Sequence, residues 1–245
     1  MHVRSCCSSI CVAVSSLSAQ TISWSDVSTS HSLPAGVRLF AGYRISPALF
    51  AWYLDVDMNN PNIAVRPYLT ANPANVSTLS ATFGAIASVN GGVFSGSQSA
   101  SSVVYPSAAR AQNVSAVTRN GMLCPVIRSF FGIDKNRNMR VDWIYHFDAT
   151  LAGSYTFTSP LPFSFNDPAP KPAPIASQGS PYQDLLVGIG GVPVLLKAGK
   201  VNITYNEEIV WGSGIASDTA VPDPRTAVGY TAQGIASYSL QTDAA

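Results

Sequence analysis

Charge is scarce in this sequence: Lys, Arg, Asp and Glu make up 11% of 245 residues, and the formal net charge is +1. So little charge argues against nucleic acid or an anionic membrane as a partner, because both recruit by electrostatic attraction. Histidine is scarcer still, with three residues, one of them His2 in the opening segment. A hydrolase built on a histidine base and a multi-histidine metal site are therefore both disfavoured. No G-x-S-x-G elbow is present to seat a serine nucleophile. Of the four cysteines, Cys6, Cys7 and Cys11 fall within the first twenty residues, so a chain processed there keeps Cys124 alone. That leaves no internal disulfide and no zinc site made of cysteines. Glutamate occurs only at Glu207 and Glu208. No run after the opening segment has the roughly 18 apolar residues that span a bilayer.

What the sequence does have is apolar mass: 47% hydrophobic residues, enough to bury a core. The opening residues read as a leader over positions 1–20, with a basic start at His2 to Arg4, a small apolar centre at Ile10 to Val14, and small residues Ser16, Ser18 and Ala19 for cleavage. This, with the sparse charge, predicts a secreted or cell-envelope protein whose residues 21–245 form one domain. Asn75-Val76-Ser77, Asn113-Val114-Ser115 and Asn202-Ile203-Thr204 are glycosylation sequons. Cys124, between Leu123 and Pro125, reads as a buried structural thiol.

Alternation governs the first half. Phe50, Trp52, Leu54 and Val56 share one face while Ala51, Tyr53, Asp55 and Asp57 share the other, the pattern of a half-buried strand. Shorter strands are predicted at Ile63 to Leu69, Ala85 to Val89, Val114 to Thr118, Leu123 to Ile127 and Val141 to Tyr145. Asn120-Gly121 should close a hairpin between the third and fourth of these. Val76 to Phe83 is the best helix, stopped by Gly84. Prolines then crowd residues 158–181, which predicts a long surface loop or an internal linker. Beyond it, Asp184 to Ile189, Val192 to Leu196, Val201 to Thr204, Thr226 to Thr231 and Ile235 to Leu240 read as further strands. The expected class is α+β, with strand-rich mixed sheets and few short helices.

Several segments bear on chemistry. In Ala87-Ser88-Val89-Asn90-Gly91-Gly92-Val93-Phe94 the glycine pair allows close backbone approach or φ > 0, which would turn Asn90 toward a ligand; an ordinary hairpin turn explains the same residues. Gly188-Ile189-Gly190-Gly191-Val192-Pro193 fails as a dinucleotide fingerprint, since Pro193 stands where the third glycine belongs. Those glycines instead let backbones approach, or offer amides to an anion. Asp134 to Asn138 begins like a calcium loop, but Met139 and Tyr145 occupy the glycine and glutamate positions, so a hairpin tip is the better account. His146 and Asp148, two apart on a strand, could pair as a base and its orienting carboxylate. Glu207 and Glu208 point opposite ways if extended, one solvated and one inward, although two surface charges are the plainer reading. Arg225, after Pro222-Asp223-Pro224, could grip a phosphate or pair with Asp223 or Asp218.

Four segments in order, Ala87 to Phe94, Phe131 to Val141, Gly188 to Lys200 and Pro224 to Gly234, together resemble the phosphodiester glycosidase family over about residues 40 to 234. The resemblance implies an α+β scaffold and hydrolysis of the bond between a sugar's anomeric carbon and a phosphate, with no cofactor and no metal. By resemblance, Asn90, Gly91 and Gly92 line the sugar-phosphate pocket with Gly190, Gly191 and Thr226, Phe94 packs beneath it, and Arg225 holds the phosphate. Glu208 is the candidate carboxylate for the oxocarbenium-like centre. The implied partner is a sugar phosphodiester or other glycan. The alternative is a secreted carbohydrate- or phosphosugar-binding protein without turnover. Val93 and Val192 depart mildly from the family pattern. The Leu-Asp-Gly-Gly-Gly-Ser-Ser motif that normally follows the Arg-Thr-Ala segment is not found before Ala245, so a truncated and impaired member is expected.

Overall fold

A computed structural model describes residues 21–165, 169–210 and 225–241, with the backbone alone over 236–241. Residues 1–20, read as a leader from sequence, and Asp218 and Pro222 to Pro224 lie outside the described residues. In chain order the strands begin with β1 (Ser23–Asp26), β2 (Val37–Arg44) and β3 (Leu49–Val56), followed by helix α1 (Val76–Phe83). Short hairpins follow: β4 (Phe94–Ser95) with β5 (Gln98–Ser99), β6 (Val103–Tyr105) with β7 (Ala108–Ala111), and β8 (Ala116–Arg119) with β9 (Met122–Pro125). Next come β10 (Arg128–Asp134), β11 (Met139–His146), β12 (Ser154–Phe157), β13 (Ser180–Pro181) and β14 (Leu185–Gly190). The last are the hairpin β15 (Leu196–Lys197) with β16 (Lys200–Val201), and then β17 (Arg225–Tyr230) and β18 (Ile235–Gln241).

Two sheets organise the chain. One has the order β1-β2-β3-β18-β17 and the other β13-β12-β11-β10-β14-β6-β7. Every pairing among the described residues is antiparallel, which corrects the expectation of mixed sheets. The physical reason is the shortage of helix: parallel strands need long crossovers, usually helical, and the one α-helix among the described residues has eight residues. The protein is mostly β.

The sheets meet through a shared core. Val56, Met58 and Ile235 from the first sheet and its following turn pack with Phe131, Ile133 and Val187 from the second. On β10 the side chains alternate: Phe131 and Ile133 face the first sheet, while Phe130 packs the other way with Val104, Ile144, Tyr182 and Leu185. Gly188 and Gly132 make room there, since a Cβ on Gly188 would strike the Phe130 ring and one on Gly132 the Tyr182 hydroxyl. Arg137, at the β10–β11 turn with φ 68°, reaches across to the first sheet's exit loop. Its guanidinium donates to the carbonyls of Met58 (2.7 Å), Asn60 (3.1 Å) and Ile63 (2.8 Å). The same turn uses up the Asp134 carboxylate, which accepts the amides of Asn136 and Asn138 and the Asn138 side-chain NH2. The hairpin-tip reading of that segment therefore holds.

Local expectations fare unevenly. Helix α1 has the predicted bounds, with Gly84 at φ 62° as its left-handed stop, yet none of its residues is buried. Asn120 (φ 49°) and Gly121 (φ 73°) close β8 onto β9 as expected. Ile63 to Leu69 and Ala85 to Val89, predicted as strands, have no strand structure, and Ile86 is 63% exposed. Their apolar residues lack the partner strand that would satisfy the backbone. In β3 the alternation is present, but Phe50 and Trp52 are exposed while Leu49 and Ala51 are buried; of the predicted apolar face, Leu54 and Val56 reach the core. The described part of the proline-rich stretch is largely irregular, although Phe163 inserts beside Cys124, Val126 and Ile209. Cys124 is fully buried, in keeping with a structural thiol.

Candidate functional site

The segment from Asn90 to Phe94 is not a hairpin turn. Gly91 and Gly92 have no positive φ; they are glycine because other chain segments press on them. A Cβ on Gly91 would sit 2.9 Å from Ile189 Cδ1, and one on Gly92 would strike the Gly190 carbonyl and lie 2.5 Å from Ser101 Cβ. Ser101 completes the join, its hydroxyl accepting the Val93 amide at 2.7 Å. Asn90 is held from the other sheet, where the Thr226 hydroxyl at the start of β17 donates to its Oδ1. Asn90, Gly91, Gly92, Gly190 and Thr226, scattered in sequence, are thus brought to one place.

The glycines of β14 serve the same purpose. A Cβ on Gly190 would collide with Asn113 Oδ1, which accepts the Ser102 amide at 2.8 Å. Gly190 and Gly191 do not offer free amides to an anion, because they donate to the carbonyls of Ser102 (2.7 Å) and Ser129 (3.1 Å). Gly191 has open space where its Cβ would be.

That space is a cavity of about 300 Å³, walled by Val93, Phe94, Ser101, Asn113, Gly191 and Val192 and reached also by Arg119 and Arg128. Phe94, expected to pack beneath the pocket, is instead 69% exposed at its rim. Arg128 is 2% exposed, and its Nε and both Nη atoms have no hydrogen-bond partner. Burial pushes its pKa down to about 10, opposed by the Glu208 carboxylate and assisted by the like charge of Arg119. Asn113 Nδ2 is also buried without a partner. Among the described residues no carboxylate lines the cavity.

Glu208 lies behind this wall with no exposed surface. Its Oε2 accepts the Ser129 amide (2.8 Å) and hydroxyl (2.7 Å), and its Oε1 accepts Trp143 Nε1 (3.2 Å), the Val194 amide (3.1 Å) and the Thr204 hydroxyl (2.6 Å). Ser129 and Trp143 are cross-strand partners on β10 and β11, so the carboxylate ties both strands to the 192–208 segment. Five donors occupy its lone pairs, which suits an anchor that fixes the cavity wall. Glu207 is only partly buried, so the two neighbours do differ as the inward–outward reading requires. Arg225 is exposed at the first position of β17, beside Thr226.

His146 and Asp148 do not form a base and orienter. The Asp148 carboxylate accepts the Thr150 amide (2.7 Å) and hydroxyl (2.5 Å) instead. His146 sits between Ser102 Oγ and Ser154 Oγ, each 3.0 Å from a ring nitrogen, and burial pushes its pKa down to about 4 against the pull of Asp148. Ser102 and Ser154 have no exposed surface, so neither hydroxyl can meet a substrate.

Arg128 and Asn113 are the residues that sequence reading missed. The available signal was a lone arginine opening an apolar run, Val126-Ile127-Arg128-Ser129-Phe130-Phe131, where a buried charge must answer to something. No helix among the described residues is long and apolar enough to cross a membrane. Compared with family models, curated proteins and solved structures, the chain matches none.

Proposed function

We propose that the chain is a secreted hydrolase of the phosphodiester glycosidase type, acting on the bond between a sugar's anomeric carbon and a phosphate. One observation carries the reading: Val93 and Phe94, just after the first glycine pair, and Gly191 and Val192, about a hundred residues later, wall one cavity that the buried Arg128 also lines. Asn90, Gly91, Gly92 and Gly190 are packed beside it rather than in its wall. A leaving phosphate needs positive charge held in a site shielded from water, where electrostatic stabilisation is strongest. Asn90, fixed by Thr226, and the Gly91–Gly92 pair form the edge over the sugar phosphate. Phe94 offers its exposed ring to the apolar face of a sugar. Arg225 is the residue that the resemblance assigns to the phosphate, and Glu208 holds the wall from beneath.

A second reading, binding without turnover, is favoured by one specific feature. The cavity has no carboxylate among the described residues, and Glu208 is saturated by five donors, whereas glycosidic cleavage ordinarily employs a free carboxylate pair. Incubation with an alkyl N-acetylglucosaminyl phosphodiester separates the two. Release of free sugar, lost in Asn90→Ala, supports the hydrolase; saturable binding with no release selects the binding protein. Neither binding nor release would contradict both.

A further inference from the structure

We infer that Arg128 and Asn113 form a seat for one singly charged oxyanion of the ligand, a phosphodiester or a carboxylate group. This rests on reading the cavity as a ligand site, though not on whether a bond is cleaved there. Guanidinium nitrogens carry five N–H donors in a planar fork, and a buried donor left unpaired is costly. In Arg128 all three nitrogens are buried and unpartnered, and Asn113 Nδ2 beside the same cavity is in the same condition. Unsatisfied donors of this kind are rare in folded proteins, and two residues carrying them on one cavity wall share a single remedy, an acceptor that enters from the cavity.

The geometry favours an anion over water or a neutral acceptor. Glu208 does not discharge Arg128, because its oxygens are taken by Ser129, Trp143, Val194 and Thr204. Ser129 and Arg128 are neighbours on β10 and point to opposite faces, so the carboxylate and the guanidinium lie on the two sides of one strand. On the cavity side stand two guanidinium residues, Arg119 and Arg128, and no acid among the described residues. Asn113 is fixed with its amide NH2 inward, since Oδ1 is committed to the Ser102 amide and wedged against Gly190. The rim of Val93, Val117 and Val192 is apolar. It suits a monoanion that remains attached to an organic group better than the doubly charged and strongly hydrated inorganic phosphate.

Thermal denaturation and calorimetric titration of the full chain test this with three probes: dimethyl phosphate, glucuronate and inorganic phosphate. The expected result is saturable binding of dimethyl phosphate or glucuronate, weakened tenfold or more in Arg128→Met and less in Arg128→Lys. Whichever of the two binds names the source of the oxyanion. Asn113→Asp places a carboxylate inside the seat while its other oxygen still receives the Ser102 amide. This variant should melt at a higher temperature without ligand and should not bind either probe. Failure of both organic anions to bind, binding unchanged in Arg128→Met, or a preference for inorganic phosphate overturns the seat. Sugar release that survives in Arg128→Met would leave the hydrolase standing while removing the seat; anion binding without sugar release would do the reverse.

Discussion

Arg128 and Glu208, both buried, influence each other electrostatically without forming an ion pair: the carboxylate accepts five hydrogen bonds from other groups, and the guanidinium nitrogens have none. The strand that separates them turns one toward the protein's framework and the other toward the cavity. Stability should therefore depend on Glu208, and ligand binding on Arg128.

Replacing Glu208 by Gln presents an amide NH2 to a shell made of donors. Loss of the charged acceptor should destabilise the fold by roughly 3 kcal/mol, since removing one member of a buried charged network leaves its partners unsatisfied. Glu207→Gln, partly exposed, should stay within about 0.5 kcal/mol of the parent. Urea unfolding midpoints measure both. Equal effects at the two positions would show that Glu208 is not the anchor.

The glycines divide into two kinds. Gly92→Ala must drive a methyl against the Gly190 carbonyl, and Gly190→Ala against Asn113, so each should cost about 1–3 kcal/mol or more from overpacking. Gly191→Ala meets nothing within 4 Å and should fold as stably as the parent. Melting temperatures of the three variants check the order. A tolerated Gly92→Ala would mean that the two segments do not touch.

His146 sets an acid limit on stability. Its folded pKa of about 4 lies below the ordinary 6.5, so the unfolded chain binds more protons between those values, and stability falls as pH drops from 6.5 toward 4. Burial is the main cause, and the exposed Asp148 only softens it. The loss should reach about 3 kcal/mol, because stability changes by about 1.4 kcal/mol for each pH unit between the folded and unfolded values. His146→Gln, which keeps hydrogen-bonding capacity toward Ser102 and Ser154, should flatten the stability profile over that pH range. An unchanged profile would place the titrating group elsewhere.

Of the three sequons, Asn75 and Asn202 are exposed, whereas Asn113 is 8% exposed with its Oδ1 bonded to the Ser102 amide. Secretion from a eukaryotic host should therefore give glycan at Asn75 and Asn202 and none at Asn113, read by peptide mass spectrometry. A glycan on Asn113 in folded protein would contradict the cavity wall.

Patterns that are local in sequence are legible. Val76 to Phe83 with Gly84, Asn120-Gly121, and the strands around Val141, Ile189 and Thr226 each carry their own periodicity or turn chemistry. Ile63 to Leu69 and Ala85 to Val89 mislead because apolar β-branched residues favour strands only where a neighbouring strand accepts their hydrogen bonds. The glycine pair marks a place of close approach, but what it approaches, Gly190 and Ser101, is set by tertiary folding. For Arg128 the sequence offers only a lone charge among apolar residues, which marks it as buried without saying what it meets; burial in the fold shows that its donors are unmet. Glu208 invites a chemical role by its residue type, yet its surroundings make it a framework group.

The most direct test of the central claim is a crystal structure of the protein soaked with an alkyl glycosyl phosphodiester. The account predicts the ligand between the Gly91–Gly92 edge and Gly191, with a phosphate oxygen within hydrogen-bond distance of the Arg128 guanidinium and Asn113 Nδ2. A ligand bound elsewhere, or a cavity still empty at saturating ligand, would contradict it.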